Sequence, residues 1–223
     1  MTDSSTDIKK FNSRLQWQIS NQSRGIRCIP VLLESAKLFI FVDASFANNK
    51  DFSSQIGVVI VLANECNQKP REFLISGNLI HWTSVKCKRV TRAVLASELY
   101  AMVLVVDLAI AISTTLDLIT EQLGTPHIPS ITCTDSSSLY ECLVKLGNTK
   151  EKPLMIDTMA IHESYERREI SEIRWINGQD NPADAMTKIN PTNALRQIVD
   201  SHEIRVRVEG WVERTDFNQI KDI

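Results

Sequence analysis

Four carboxylates in this chain stand where an acid has chemical consequences. Asp43 ends the short apolar run K-L-F-I-F-V-D (37–43), and Asp135 follows a second one, Ile131–Thr134. Each precedes small polar residues, Ala44-Ser45 and Ser136-Ser137-Ser138. Ligands of open α/β sheets collect at the carboxyl ends of strands, so acids there on adjacent strands would lie within reach of one ion. Taken singly, a strand-end Asp serves equally well as an acceptor for turn hydrogen bonds. Glu98 sharpens the pattern, because its i+4 row of Val94, Met102 and Val106 is otherwise apolar. A carboxylate on a packing face is costly unless it is ion-paired, protonated or bound to a metal. Asp184, in N-P-A-D, falls at the third helical position after an Asn cap, where an acid also suits the helix amides and dipole. Its meaning comes from the other three.

An oxygen-only acidic set without His or Cys selects hard cations, magnesium or manganese. Two such ions about 4 Å apart can activate a water and stabilise the leaving oxygen of a phosphodiester. That chemistry needs no nucleophilic side chain, and the chain has no G-x-S-x-G, H-E-x-x-H or Walker loop. No organic cofactor is implied. Just before the Glu98 helix, V-K-C-K-R-V-T-R places Lys86, Lys88, Arg89 and Arg92 together. Such a cluster is either a solvated loop or a phosphate-binding patch that reads backbone shape rather than sequence. Ser45 and Ser136, beside Asp43 and Asp135, add hydroxyls able to meet a ribose 2′-hydroxyl.

The elements that must position these residues follow from periodicity. Residues 37–43, Gln55–Ala63 and Glu72–Ser84 read as three successive strands, an antiparallel meander. From Thr91 to about Ile112 the apolar spacing becomes helical. A strand at Ile131–Thr134, a helix over 136–146 stopped by Gly147, a helix at Leu154–Arg168, a strand at Ile170–Ile176 and a short helix from Asn181-Pro182 complete the order β-β-β-α-β-α-α-β-α. That order predicts a mixed sheet with helices packed on it. Residues 1–35 form a polar lead-in, 36–190 the domain, and 191–223 a C-terminal appendage. Five widely spaced cysteines without a C-x-x-C pair fit reduced thiols in an intracellular protein rather than a zinc knuckle or disulfide framework. The most apolar stretch, Leu99–Ile112, contains Asp107 and is too short for a membrane span. A net charge of −2 gives no general attraction to nucleic acid, so any such binding must be local.

V-D-A-S-F-A (42–47), H-W-T-S-V-K-C-K-R-V-T-R-A-V-L-A-S-E-L-Y-A (81–101), C-T-D-S-S-S-L (133–139) and N-P-A-D-A-M-T-K (181–188) together resemble the ribonuclease H region of copia-type LTR retrotransposon polyproteins, fungal ones in particular. The resemblance spans roughly 10–215 and includes R-L-Q-W-Q-I (14–19), similar to the connection that follows the polymerase. It implies a ribonuclease H-like five-stranded sheet, three antiparallel strands then parallel ones, with helices on both faces. It also implies that Asp43, Glu98, Asp135 and Asp184 hold two magnesium ions, with manganese as a substitute, to cleave the RNA strand of an RNA/DNA hybrid. A reverse transcriptase polypeptide is the implied protein partner, and a cytoplasmic retroelement particle or the nucleus the implied location. Two departures stand out. A K-H-I-D-like segment is replaced by K-P-L-M-I-D-T-M-A-I-H (152–162), and the loop N-G-Q-D-N-P (177–182) lacks the histidine that cellular ribonucleases H carry there. The competing expectation is a non-catalytic nucleic-acid-binding or interaction module from a co-opted or decaying retroelement.

Overall fold

The strand β1 (Ala36–Ser45) is buried along almost its whole length, and this decides what surrounds it. Its side chains alternate between two cores. Leu38, Ile40 and Val42 enter one, while Phe39 and Phe41 enter the other. A run that is apolar at consecutive positions therefore makes a central strand covered on both faces. The computed structural model describes residues 4–144 and 152–213.

On one side of β1 lies β2 (Gln55–Lys69), antiparallel to it, followed by β3 (Glu72–Lys86), antiparallel to β2. On the other side β4 (Ser130–Thr134) runs parallel to β1, and β5 (Glu172–Ile176) parallel to β4. The expected meander followed by parallel strands is present. The strand count is six rather than five. Residues 191–223, read as an appendage, supply a further strand, β6 (Glu203–Glu213), which pairs antiparallel with Glu72–Ser76 of β3 and then with β5. The pairings close in the order β1-β2-β3-β6-β5-β4. The alternation Ile204, Val206, Val208 puts the buried face of β6 into the second core.

Helices cover both faces. On the first, α2 (Val94–Leu123) lays Leu99, Met102, Val105 and Ala109 over β1, with α3 (Ser137–Val144) and α4 (Lys152–Glu166) beside it. On the second lie α5 (Asp184–Thr187), preceded by the buried Ala183, and α6 (Ala194–Ser201), which contributes Ala194 and Ile198. The N-terminal lead-in forms a helix, α1 (Ser4–Ser20), with Ile8, Phe11 and Leu15 exposed. The end of the helix expected over 136–146, with its stop at Gly147, lies outside the described residues.

The main misjudged boundary is that of α2, which runs eleven residues past Ile112 (123 − 112). Its Ser-Thr-Thr stretch looks helix-breaking, yet Thr114 and Thr115 turn their hydroxyls back onto the carbonyls of Ile110 and Ala111. The helix stops at Gly124, which adopts the left-handed conformation at φ 65°. With 30 residues, α2 is long and apolar enough to cross a membrane by length and composition. Its first half instead forms the cover of β1.

The closure brings together a buried charge cluster. Arg174 of β5 donates to Glu65 of β2 at 2.6 and 3.2 Å and to Glu172 at 2.7 Å, and lies 4.5 Å over the Phe73 ring. Lys37 of β1 completes it, 2.6 Å from Glu65 and 3.7 Å from Glu172. Removing one partner of such a cluster strands the others in a poor solvent for charge. Arg174→Ala should therefore lower stability by about 3–5 kcal/mol, read as a reduced urea midpoint. A midpoint equal to wild type would show that the cluster does not clamp the sheet.

Candidate active site

Where β1 ends, Asp43 is 3% exposed and pairs in register with Gly57 of β2. Gly57 is there because α5 crosses directly above it. A Cβ at this position would come within 2.7 Å of the Ala183 carbonyl oxygen and 2.8 Å of Thr187 Cγ2. The close crossing sets Asp184, 2% exposed, beside Asp43. Asn181, wholly buried, fastens the crossing. Its Nδ2 donates to the Val42 carbonyl at 2.9 Å, and its Oδ1 accepts the Ala183 N–H at 3.1 Å. The expected Asn cap is thus present, but 181–183 form tight turns and the regular helix begins only at Asp184, not two residues before it. Thr187 donates its hydroxyl to Asp43 Oδ2, and the Thr192 N–H donates to Asp184 Oδ2 at 2.8 Å.

Asp135 lies just past β4, against the 3-10 turn Gly178–Asp180, where a Cβ on Gly178 would stand 3.0 Å from its Oδ2. Strand β6 holds that turn. Asp180 accepts from Arg207 through its backbone N–H at 2.9 Å, Nε at 2.8 Å and Nη2 at 2.9 Å. Glu98 arrives from the first full turn of α2, 6% exposed, and its Oε2 has no hydrogen-bond partner.

All four acids share one electrostatic neighbourhood. Burial pushes the Glu98 carboxyl up to about 9, and the charges of Asp43 and Asp135 push the same way. Burial also raises Asp43 and Asp135, each opposed by Lys188; the charge of Asp184 adds to the rise at Asp43, and that of Asp43 to the rise at Asp135. The Lys188 ammonium contacts Asp184 Oδ1 and stands 3.9 Å from Asp43 Oδ1. Burial works against its charge, but the hydrogen bond to Asp184 and the surrounding carboxylates outweigh it and raise its pKa. Among the described residues, no three His, Cys, Asp or Glu side chains are drawn together tightly enough to form a ligand group for a metal as they stand. The donors nevertheless suit a hard divalent ion: they are carboxylate oxygens, and the buried Glu98 Oε2 and Ser45 Oγ lack partners.

The other expected site residues fare differently. Ser136 caps α3, its Oγ accepting the Leu139 N–H at 3.3 Å. In the basic segment, Lys86 pairs with Asp51 at 2.9 Å, and Arg89 reaches Asp157 at 2.7 Å while lying 4.8 Å over the Tyr100 ring. Lys88 and Arg92 are exposed. His162 sits in α4, and the charge that acts on it is that of Glu166 rather than that of the four acids, so it does not stand in for a histidine at the site. Sequence reasoning missed Asn181 as a fastener of the last acid, and Gly57, Thr187 and Lys188. Only Lys188 had a local signal, its i+4 spacing from Asp184.

No family model and no curated protein sequence matches the chain. Solved structures similar to it include LC11-RNase H1, isolated from compost, at 20% identity and a TM-score of 0.47, covering 71% of this chain and 98% of that one. The N-terminal RNase H domain of Rv2228c from Mycobacterium tuberculosis follows at 16% and 0.43, covering 69% and 91%. The prototype foamy virus protease-reverse transcriptase aligns at 18% and 0.33, covering 67% of this chain and 19% of that one. None of these reaches 25% identity or a TM-score of 0.5.

The site has a pH signature. Folded, Glu98 keeps its proton to about 9, whereas in the unfolded chain it loses it near the ordinary 4.5. Between these values the folded state binds a proton that the unfolded state does not, so stability falls as pH rises across the window. In EDTA, the urea midpoint should decline from pH 5 to pH 9, and Glu98→Gln should flatten most of that decline. A wild-type midpoint independent of pH over this range would contradict the protonated Glu98.

Proposed function

We propose that this chain is a metal-dependent endonuclease that hydrolyses the RNA strand of RNA/DNA hybrids, derived from a copia-type retroelement polyprotein. The observation that carries the reading is Glu98. It is a buried carboxylate with an unpartnered oxygen, within electrostatic reach of Asp43 on the central strand and of Asp135 just past β4. A purely structural acid in that position would have a hydrogen-bonded partner.

On this reading Asp43, Glu98, Asp135 and Asp184 hold magnesium, with manganese as a substitute. The bound ions supply Lewis-acid activation of water and stabilisation of the leaving oxygen. The chain's own groups do the rest. Asn181 and Thr187 fix where Asp184 and Asp43 point. Ser45 Oγ, buried and without a partner, would turn outward to meet the ribose 2′-hydroxyl that distinguishes RNA from DNA. Lys88 and Arg92, exposed at the approach to α2, contact backbone phosphates. Lys86 and Arg89 join them only by leaving Asp51 and Asp157. We further propose a reverse transcriptase polypeptide as partner, in a cytoplasmic retroelement particle or the nucleus. The second reading, a non-catalytic hybrid-binding module, is favoured by one observation: an ammonium, Lys188, already stands among the acids.

The deciding assay uses a labelled hybrid, an RNA duplex and a DNA duplex of one sequence, with magnesium and with EDTA. Cleavage of the RNA strand of the hybrid alone, lost in EDTA and reduced at least about 100-fold by Asp43→Asn, is the expected result. Equal cutting of the DNA duplex would end the ribonuclease H reading. Hybrid binding without cutting would establish the second one.

A further inference from the structure

Lys188 has no part in that mechanism, yet it is the one cation placed within the acids among the described residues. Four residues beyond Asp184, its ammonium is folded back onto that carboxylate and lies 3.9 Å from Asp43 Oδ1. Its neighbour Thr187 takes the other oxygen, Oδ2, of the same Asp43. Thr187 of α5 and Lys188 just past it thus attend both oxygens of the first acid, one by a hydrogen bond and one by charge at 3.9 Å, and Lys188 takes one oxygen of the fourth. Thr192 holds the remaining oxygen of Asp184. The Lys188 charge also bears on Glu98 and Asp135. The Asp43 and Asp184 side chains are 4% and 2% exposed, but that of Lys188 is 46% exposed, so a route to solvent is open to it.

We propose that Lys188 is a resident counter-ion that competes with the divalent cation for Asp43 and Asp184, and so sets the concentration at which the site loads. This rests on the metal-binding reading above. The physical reason is that an ammonium and a divalent ion cannot both contact the same carboxylate oxygens without strong repulsion. The ammonium must swing away before the ion binds. Lysine suits this exchange because its charge is compact and its stem is flexible. Any ligand whose competent state is only partly populated shows an affinity lowered by that fraction. Two consequences of opposite sign follow. Without the ion, the Lys188 charge relieves repulsion among the carboxylates and stabilises the fold. Toward the ion, the same charge raises the concentration needed. A lysine with only a structural role would produce the first effect and not the second.

The test uses the full chain stripped of metal with EDTA and dialysed, then titrated with manganese, reading the thermal midpoint and the heat of binding. Lys188→Met should melt below wild type without manganese, yet half-saturate at a manganese concentration lower by roughly tenfold or more. Lys188→Arg, which keeps the charge, should stay near the wild-type half-point. If the Met variant does not fold, Lys188→Gln makes the same comparison with a polar side chain. A half-point for the neutral variants equal to or above wild type would overturn the competition while leaving the metal site intact. No manganese binding by wild type and neutral variants alike would overturn both the competition and the metal reading.

Discussion

Gathering carboxylates in a partly buried place is unfavourable twice over, through lost hydration and through mutual repulsion. Much of the local architecture around β1 can be understood as holding such a gathering together. Asn181 ties the backbone of the last acid's turn to the backbone before the first acid, so Asp43 and Asp184 cannot move apart without breaking a wholly buried hydrogen bond. Gly57 removes the side chain that would force α5 away from β2. Thr187 and Lys188 supply a donor and a charge. What they leave uncompensated falls on Glu98, whose carboxyl burial and the charges of Asp43 and Asp135 push up to about 9.

The support extends well beyond the site's own elements. The turn Gly178–Asp180 touches Asp135 and leads into Asn181, and it is held by Arg207 of β6. Strand β6 is in turn paired to β3 and β5. The final described segment of the chain therefore determines how firmly the third and fourth acids are placed. It does so through backbone pairing and through Arg207 and Glu209, whose side chains reach Asp180 and Asn177, rather than through any residue at the site.

How much of this was legible in the sequence depended on whether a residue's reason was local. The double burial of β1 was legible because consecutive apolar residues of β propensity have few other uses, and Asp43 was legible as the acid near its end, although the strand runs on to Ser45. Glu98 was legible because one acid interrupts an apolar i+4 row. The period-2 pattern Ile204, Val206, Val208 was present in the sequence too, but its partners are strands more than 25 residues away, so nothing nearby marked it as part of the sheet. Likewise, Ile8, Phe11 and Leu15 have helical spacing within a segment whose polarity concealed it. Arg174 could not be read at all. Its meaning lies in Glu65, which only the closed pairing brings to it.

That last pair offers a comparison within one molecule. Lys37 and Asp43 sit near opposite ends of the same strand, six residues or roughly 20 Å apart, and each belongs to a buried charged cluster. At the Lys37 end, two cations, Lys37 and Arg174, meet two carboxylates, Glu65 and Glu172, and Arg174 donates to both acids. Such a cluster asks for nothing further, and it reads as structure. At the Asp43 end, four acids face one ammonium, burial and neighbouring charge push the Glu98 carboxyl up to about 9, and an oxygen of Glu98 has no partner. Both ends are buried to a similar degree, so burial does not distinguish them. The distinction is charge balance, and the imbalance at the Asp43 end is of the sign and donor type that a hard divalent cation would correct.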